Sequence, residues 1–131
     1  CPSLAVLPCF LWSGVAGLDT LIPDVELVDG LHAGLGETAL MLQLAPDLVG
    51  SSRPVDGLAS GDPAQSPPPG WSLEGAAPCA WLTDDLSASG VIGDSRDASV
   101  ALGSALEKRL VQHWSRLFDA LLRSSWPPCS R

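Results

Sequence analysis

"DASVALGSALEKRLVQHWSRLFDALLRS", residues 97–124, decides the fold. Leu102, Leu106, Leu110, Trp114, Leu117 and Leu121 recur at intervals of three and four, the spacing that gathers side chains on one face of an α-helix. Val111, Phe118 and Leu122 widen the stripe. Asp94 or Ser95 is placed to cap the first turn, and Trp126-Pro127-Pro128 stops the helix, because proline cannot continue it.

So wide an apolar stripe needs something to cover it, and the preceding segments offer little. "TDDLSASGVIGDS" (83–95) reads as a loop with a brief apolar touch at Val91 and Ile92. "APCAWL" (77–82) reads as a short strand, and so does "SLAVLPCFLW" (3–12), an apolar run broken by Pro8. Residues 59–70, "ASGDPAQSPPPG", are turn-rich and form an exposed Pro/Gly loop rather than a linker, since neither flank is large enough to close a core alone. "SGVAGLDTLIPDVEL" (13–27) is loop-like with room for one helical turn. "ETALMLQLAPDLV" (37–49) is a second helix with Leu40, Met41, Leu44 and Leu48 on one face, ended or kinked at Pro46. Two short strands and two long helices carry more apolar surface than they can bury on one another, and a two-stranded sheet is marginal in water. The expectation is an α/β chain, residues 1–131 forming part of one larger sandwich.

A length of 131 residues allows one domain, and 46% hydrophobic content is that of a globular chain. The net charge is −8 but unevenly spread. Residues 1–95 hold twelve of the fifteen acids and one base, Arg53, whereas residues 96–131 hold six bases against three acids. Those bases lie along the long helix without interleaved aromatics, so they read as a solvated face, and the acidic remainder argues against a nucleic-acid partner. No apolar run is long enough to span a bilayer. The four cysteines, Cys1, Cys9, Cys79 and Cys129, show no C-x-x-C and fit neither a zinc set nor a disulfide framework. Cys9 and Cys79 are expected to be buried thiols in a reducing, cytoplasmic setting. Cys1 opens the sequence with neither a basic leader nor a polar tether after it, which reads as the tail of a longer protein rather than a processed lipoprotein.

The chemistry concentrates in "DGLHAGLGETALML" (29–42). His32 sits where the chain enters a helix, with Glu37 in or near its first turn and Gly30, Gly34 and Gly36 permitting close backbone approach or positive φ. An imidazole and a carboxylate at a helix N-terminus can divide a proton transfer between them, and Asp29 could orient the ring or hold a substrate donor. Ordinary helix-opening grammar gives the same pattern, because acids favour helix starts and single histidines often only pack. Asp84-Asp85 beside Trp81 could be a paired-carboxylate site or a loop cap. His113, inside the long helix, reads as packing or facing water. Ser13-Gly14, Ser89-Gly90 and Gly93-Asp94 match no nucleophile elbow or phosphate loop. Trp12 and Trp81 read as core, Trp114 as part of the stripe, Trp71 and Trp126 as half exposed.

"HAGLGETALMLQLAPDLV" (32–49) resembles the signature of the creatininase family: a histidine and two small residues, two variable positions, Glu-Thr-Ser/Ala-Leu-Met-Leu, then Pro-Asp/Glu-Leu-Val. The likeness extends through "RPVDGL", "CAWLTDDLSASGVIGDSRDAS" and the "ALGSAL" opening of the long helix, so it covers nearly all of the chain. It implies a three-layer αβα sandwich, here lacking its N-terminal strands and helices, and a usually oligomeric, metal-dependent amidohydrolase that opens cyclic amides or cleaves related C–N bonds. By this resemblance His32 binds substrate and shuttles a proton to the leaving nitrogen, Glu37 is the nearby active-site glutamate, and Asp29 hydrogen-bonds substrate. Zinc with manganese or another divalent ion is the expected cofactor of the full-length enzyme. The family's Glu-x-His-Gly-x-His-Leu-Pro block and its later histidine–glutamate pair have no counterpart here, so no residue is assigned to metal and this chain alone is expected to bind none. Val28 stands where creatinine-hydrolysing members carry tryptophan. The alternatives are a non-catalytic remnant serving as an interaction or oligomerisation module, and one half of a split enzyme.

Overall fold

Two helices pressed together at small residues organise the chain. The computed structural model describes residues 7, 9–57, 67–74 and 77–126. In chain order they form a 3-10 turn at Leu18–Thr20, α1 (Asp24–Asp29), α2 (Leu35–Leu44), a second 3-10 turn at Pro46–Leu48, β1 (Val55–Asp56), α3 (Thr83–Leu86), β2 (Gly93–Asp94) and α4 (Val100–Arg123). The mixed helix and strand content is that of an α/β chain, with helix predominating.

The period in residues 97–124 forms its helix, but the cap is Ser99, whose Oγ accepts the Leu102 N–H at 3.2 Å. Asp94 and Ser95 are engaged elsewhere: Asp94 pairs in β2, and buried Ser95 donates its hydroxyl to the Pro54 carbonyl. α4 packs on α2 through Gly103, Leu106 and Leu110, and a Cβ on Gly103 would fall 2.0 Å from the Ala39 carbonyl oxygen. So close a crossing leaves no room for a side chain at residue 103 unless the helices move apart. The core comprises Val15, Leu18, Ile22, Leu35, Ala39, Leu40, Leu106 and Leu110, with Trp12, Leu102 and Trp114 half-buried against it. Arg109 crosses from α4 to the carbonyls of Ala16 and Gly17 and to the Thr20 hydroxyl, fastening the first 3-10 turn.

Four expectations are corrected here. The face of α2 that packs is Leu35, Gly36, Ala39 and Leu40; Met41, Leu44 and Leu48 are exposed, because the Ala39–Gly103 contact sets the helix's rotation. The described part of 3–12 is not a strand: Leu11–Gly14 form a turn closed by Ser13 N–H on the Phe10 carbonyl, and Leu7, Cys9, Phe10 and Leu11 are exposed. Residues 3–6 and 8 lie outside the described residues. The 77–82 segment makes only a single bridge, Pro78 to Ser72, and Trp81 is half-buried with its indole N–H on the Leu73 carbonyl. An apolar run becomes a buried strand only if neighbouring strands accept its backbone groups, and neither segment finds them among the described residues. The pairing lies instead in the 83–95 segment. β1 and β2 are antiparallel, Val55 opposite Asp94 and Asp56 opposite Gly93, and fully buried Ile92 pairs with His32.

Of the 59–70 loop only 67–70 falls within the described residues, and Pro127 and Pro128 fall outside them. Beyond Leu110 much of the stripe of α4 is uncovered among the described residues: Val111, Leu117, Phe118 and Leu122 are exposed, while Trp114 and Leu121 are half-buried. No helix among the described residues is long and apolar enough to cross a membrane.

Candidate functional site

The polypeptide between α1 and α2 is a tight corner. His32 exchanges both backbone hydrogen bonds with Ile92, donating at 3.2 Å and accepting at 2.8 Å. Ala33 then takes φ 52°, the only positive φ at a non-glycine among the described residues, at a cost of about 1–2 kcal/mol. The three glycines noted in the sequence do not supply that angle. Gly30 and Gly34 have φ of −80° and −73°, and they are there for close approach. Two side chains from α2 hold the corner. The Ala33 N–H donates to Glu37 Oε2 at 2.5 Å, and the Thr38 hydroxyl donates to the Ala33 carbonyl at 2.9 Å. The Glu-Thr pair therefore closes the helix entrance as well as presenting a carboxylate.

The same Glu37 oxygen lies 4.0 Å from His32 Nδ1, with the two side chains 48% and 54% exposed. That separation is beyond a hydrogen bond but within Coulomb range of an imidazolium. Glu37 lines a cavity of about 130 Å³ walled by Phe10, Trp12, Ile22, Leu27 and Leu31. Asp29, the half-buried last residue of α1, lines a second cavity of about 300 Å³ with Val28, Gly57, Ser72 and Leu73. Leu31 and Glu74 line both, so the two adjoin. His32 lines neither. The structure thus brings His32 and Glu37 together and sets Asp29 on the neighbouring hollow.

Sequence reading missed one acid in this region. Glu26 is 7% exposed and lines the smaller cavity. Its Oε2 accepts the Leu35 N–H at 2.8 Å and its Oε1 accepts the Asp94 N–H. The available signal was a lone charge inside the apolar run "VELV" (25–28). Asp56 was missed as well. Its carboxylate accepts the Ser89 N–H (2.9 Å), the Gly57 N–H (2.8 Å) and the Ser87 hydroxyl (3.0 Å), and these bonds, the Ser89 backbone foremost, hold its pKa down to about 2. It shapes the 87–91 loop. Asp84 and Asp85 sit exposed in the first turn of α3, where Asp85 Oδ2 accepts the Leu82 N–H at 2.7 Å and so caps the helix. His113 packs edge-on against Trp114, and its Nε2 has no partner among the described residues.

The creatinine amidohydrolase (creatininase) family model matches residues 2–118. The chain belongs to the creatininase family. No curated protein and no solved structure matches it. Membership makes it a relative of hydrolases that act on C–N bonds, enzymes that generally use divalent metals. Among the described residues no three His, Cys, Asp or Glu side chains are gathered as such a metal site would need. Both oxygens of Glu26 already accept backbone N–H groups, and one Glu37 oxygen does the same.

Proposed function

We propose that this chain carries the proton-transfer and substrate-holding part of a creatininase-type amidohydrolase site that hydrolyses a cyclic amide or a related C–N bond. The observation that carries the reading is the half-exposed His32–Glu37 pair, 4.0 Å apart at the entrance of α2, in a chain matched by the family model over residues 2–118. In amide hydrolysis the oxygen of water bonds to the carbonyl carbon, the C–N bond breaks and the leaving nitrogen gains a proton. An imidazole nitrogen can both take up and give a proton, so His32 delivers that proton with the Glu37 carboxylate 4.0 Å from its Nδ1. Asp29 accepts an N–H from the substrate at the adjoining hollow.

Zinc and manganese remain the cofactors of this reading, held by residues other than those described, and no step is assigned to them here. Those residues come from a missing N-terminal half, upstream or on a separate chain, which also completes the three-layer αβα domain. The protein is read as a cytoplasmic homo-oligomer, and among the described residues Cys9 and Cys79 form no disulfide. The test is hydrolysis of creatinine and a panel of cyclic amides by the chain co-expressed with a family N-terminal half. His32→Ala should lower turnover by about 10²-fold or more. Equal turnover by the variant, or none by any assembly, would refute the reading.

A second reading, an association module without catalysis, is favoured by the exposed apolar residues of α4 and by Val25 and Val28 on α1. It expects self-association by sedimentation with no turnover in any assembly.

A further inference from the structure

Glu26 is the one buried carboxylate among the described residues, and the proposed reaction gives it no part. α1 is inverted relative to an ordinary surface helix. It turns its glutamate inward at 7% exposure and leaves Val25, Leu27 and Val28 at 51%, 40% and 71%. Burying an acid while exposing three apolar side chains is unfavourable unless the acid is well partnered. Its partners are two backbone N–H groups on different elements: Leu35, which opens α2, and Asp94, which ends β2. The surroundings are cleared for it. A Cβ on Gly30 or Gly34 would lie 2.7 or 2.6 Å from Glu26 Oε2, and one on Gly93 would lie 3.0 Å from Oε1.

These contacts pin both ends of the His32–Leu35 corner to one short segment, residues 92–94. His32 is bonded directly to Ile92, and Leu35 is tied through the Glu26 carboxylate to Asp94, two residues further along. Only Ala33 and Gly34 lie between the anchors. A left-handed alanine persists when its neighbours over-determine it, and here they do. With the corner fixed, the Ala33 N–H meets Glu37 and the ring of His32 stands beside the same carboxylate.

We infer that Glu26 is a positioning residue: by joining the backbone amides of Leu35 and Asp94 it fixes the Ala33 corner that sets His32 against Glu37. The inference rests on the proton-transfer role proposed for that pair. It is tested without substrate, by amide and imidazole NMR spectra of the chain and of Glu26→Gln, which keeps the side chain's shape and replaces one acceptor oxygen with a donor. The Leu35 or Asp94 amide must move in the variant, since each bonds Glu26 directly. The diagnostic signal is the Ala33 amide, which bonds Glu37 and not Glu26. It should lose its carboxylate-bonded downfield shift, and the His32 ring signals should shift with it. Leu40→Ala, which weakens the α2–α4 core instead, should leave the Ala33 amide in place. A Glu26→Gln chain that is less stable but keeps its Ala33 and His32 signals would reduce Glu26 to a packing group and overturn the inference. Should the variant not fold, hydrogen exchange on the unaltered chain decides: Ala33, Leu35 and Asp94 amides are expected to open together. Exchange at Ala33 tenfold faster than at the other two would overturn it. Failure of the proposed reaction looks different, as turnover indifferent to His32→Ala while the Ala33 amide still answers to Glu26.

Discussion

Replacing Gly103 with alanine should destabilise the chain, against the usual sign for a glycine inside a helix. In an exposed helix the change is worth about 1 kcal/mol of stabilisation. Here the new methyl would sit 2.0 Å from the Ala39 carbonyl oxygen, 2.7 Å from its carbon and 2.8 Å from Gln43 Cβ. Ordinary contact begins near 3.4 Å, so α2 and α4 would have to part by roughly 1.4 Å. The obstacle is helix backbone, which cannot swing aside like a side-chain tip. Overpacking a dense core costs about 1–3 kcal/mol, and a clash with backbone belongs at the upper end. Net of the propensity gain, the variant should lose about 2 kcal/mol. Urea unfolding followed by tryptophan fluorescence would measure it, with Ser104→Ala as the neighbouring exposed control. A midpoint for Gly103→Ala at or above that of the parent chain would show that the helices do not cross at Ala39.

Asp56 gives a pH signature. Its folded pKa of about 2 lies below the ordinary 3.8, so its contribution to stability is fully present above about pH 4 and is lost as pH falls toward 2. Urea midpoints measured from pH 6 to pH 2 should fall less steeply over that window in Asp56→Asn. Ser99→Ala removes the acceptor for the Leu102 N–H and should cost about 1 kcal/mol, read as a lower urea midpoint with unchanged slope. Elemental analysis after dialysis against zinc and manganese should find well under one metal per chain, and a stoichiometric ion would redirect attention to His32 and Glu37.

The parts of this fold legible in the sequence were those governed by local rules. The three-and-four spacing from Leu102 onward is visible without knowing what it packs on, and Pro46 stops α2 wherever α2 lies. The rotation of α2 was not legible, because the eye follows large apolar residues while the crossing uses Ala39 and Gly103. The strands failed for a related reason. The apolar run at 77–82 and the described part of 3–12 look like strands, but pairing is decided by distant partners, and among the described residues it fell to Val55–Asp56 and Gly93–Asp94. In the candidate site, the nearness of His32 and Glu37 was legible from their spacing, and the turn chemistry of Glu37 and Thr38 explains why that nearness is local. Glu26 looked like one acid among many. Its role depends on an amide 68 positions along the chain, and no window of sequence displays that.

That separation has a consequence for assembly. A six-residue helix such as α1 is too short to persist by itself in water. Its few local hydrogen bonds are supplemented by those from Leu35 and Asp94, nine and 68 residues away. α1 is therefore expected to gain its full support only once the chain has been made as far as residue 94 and has brought β2 back. Any truncation short of Asp94 removes more than the residues it deletes. It takes one of the two anchors of Glu26 with them, and leaves a short helix of exposed valines held through Leu35 alone.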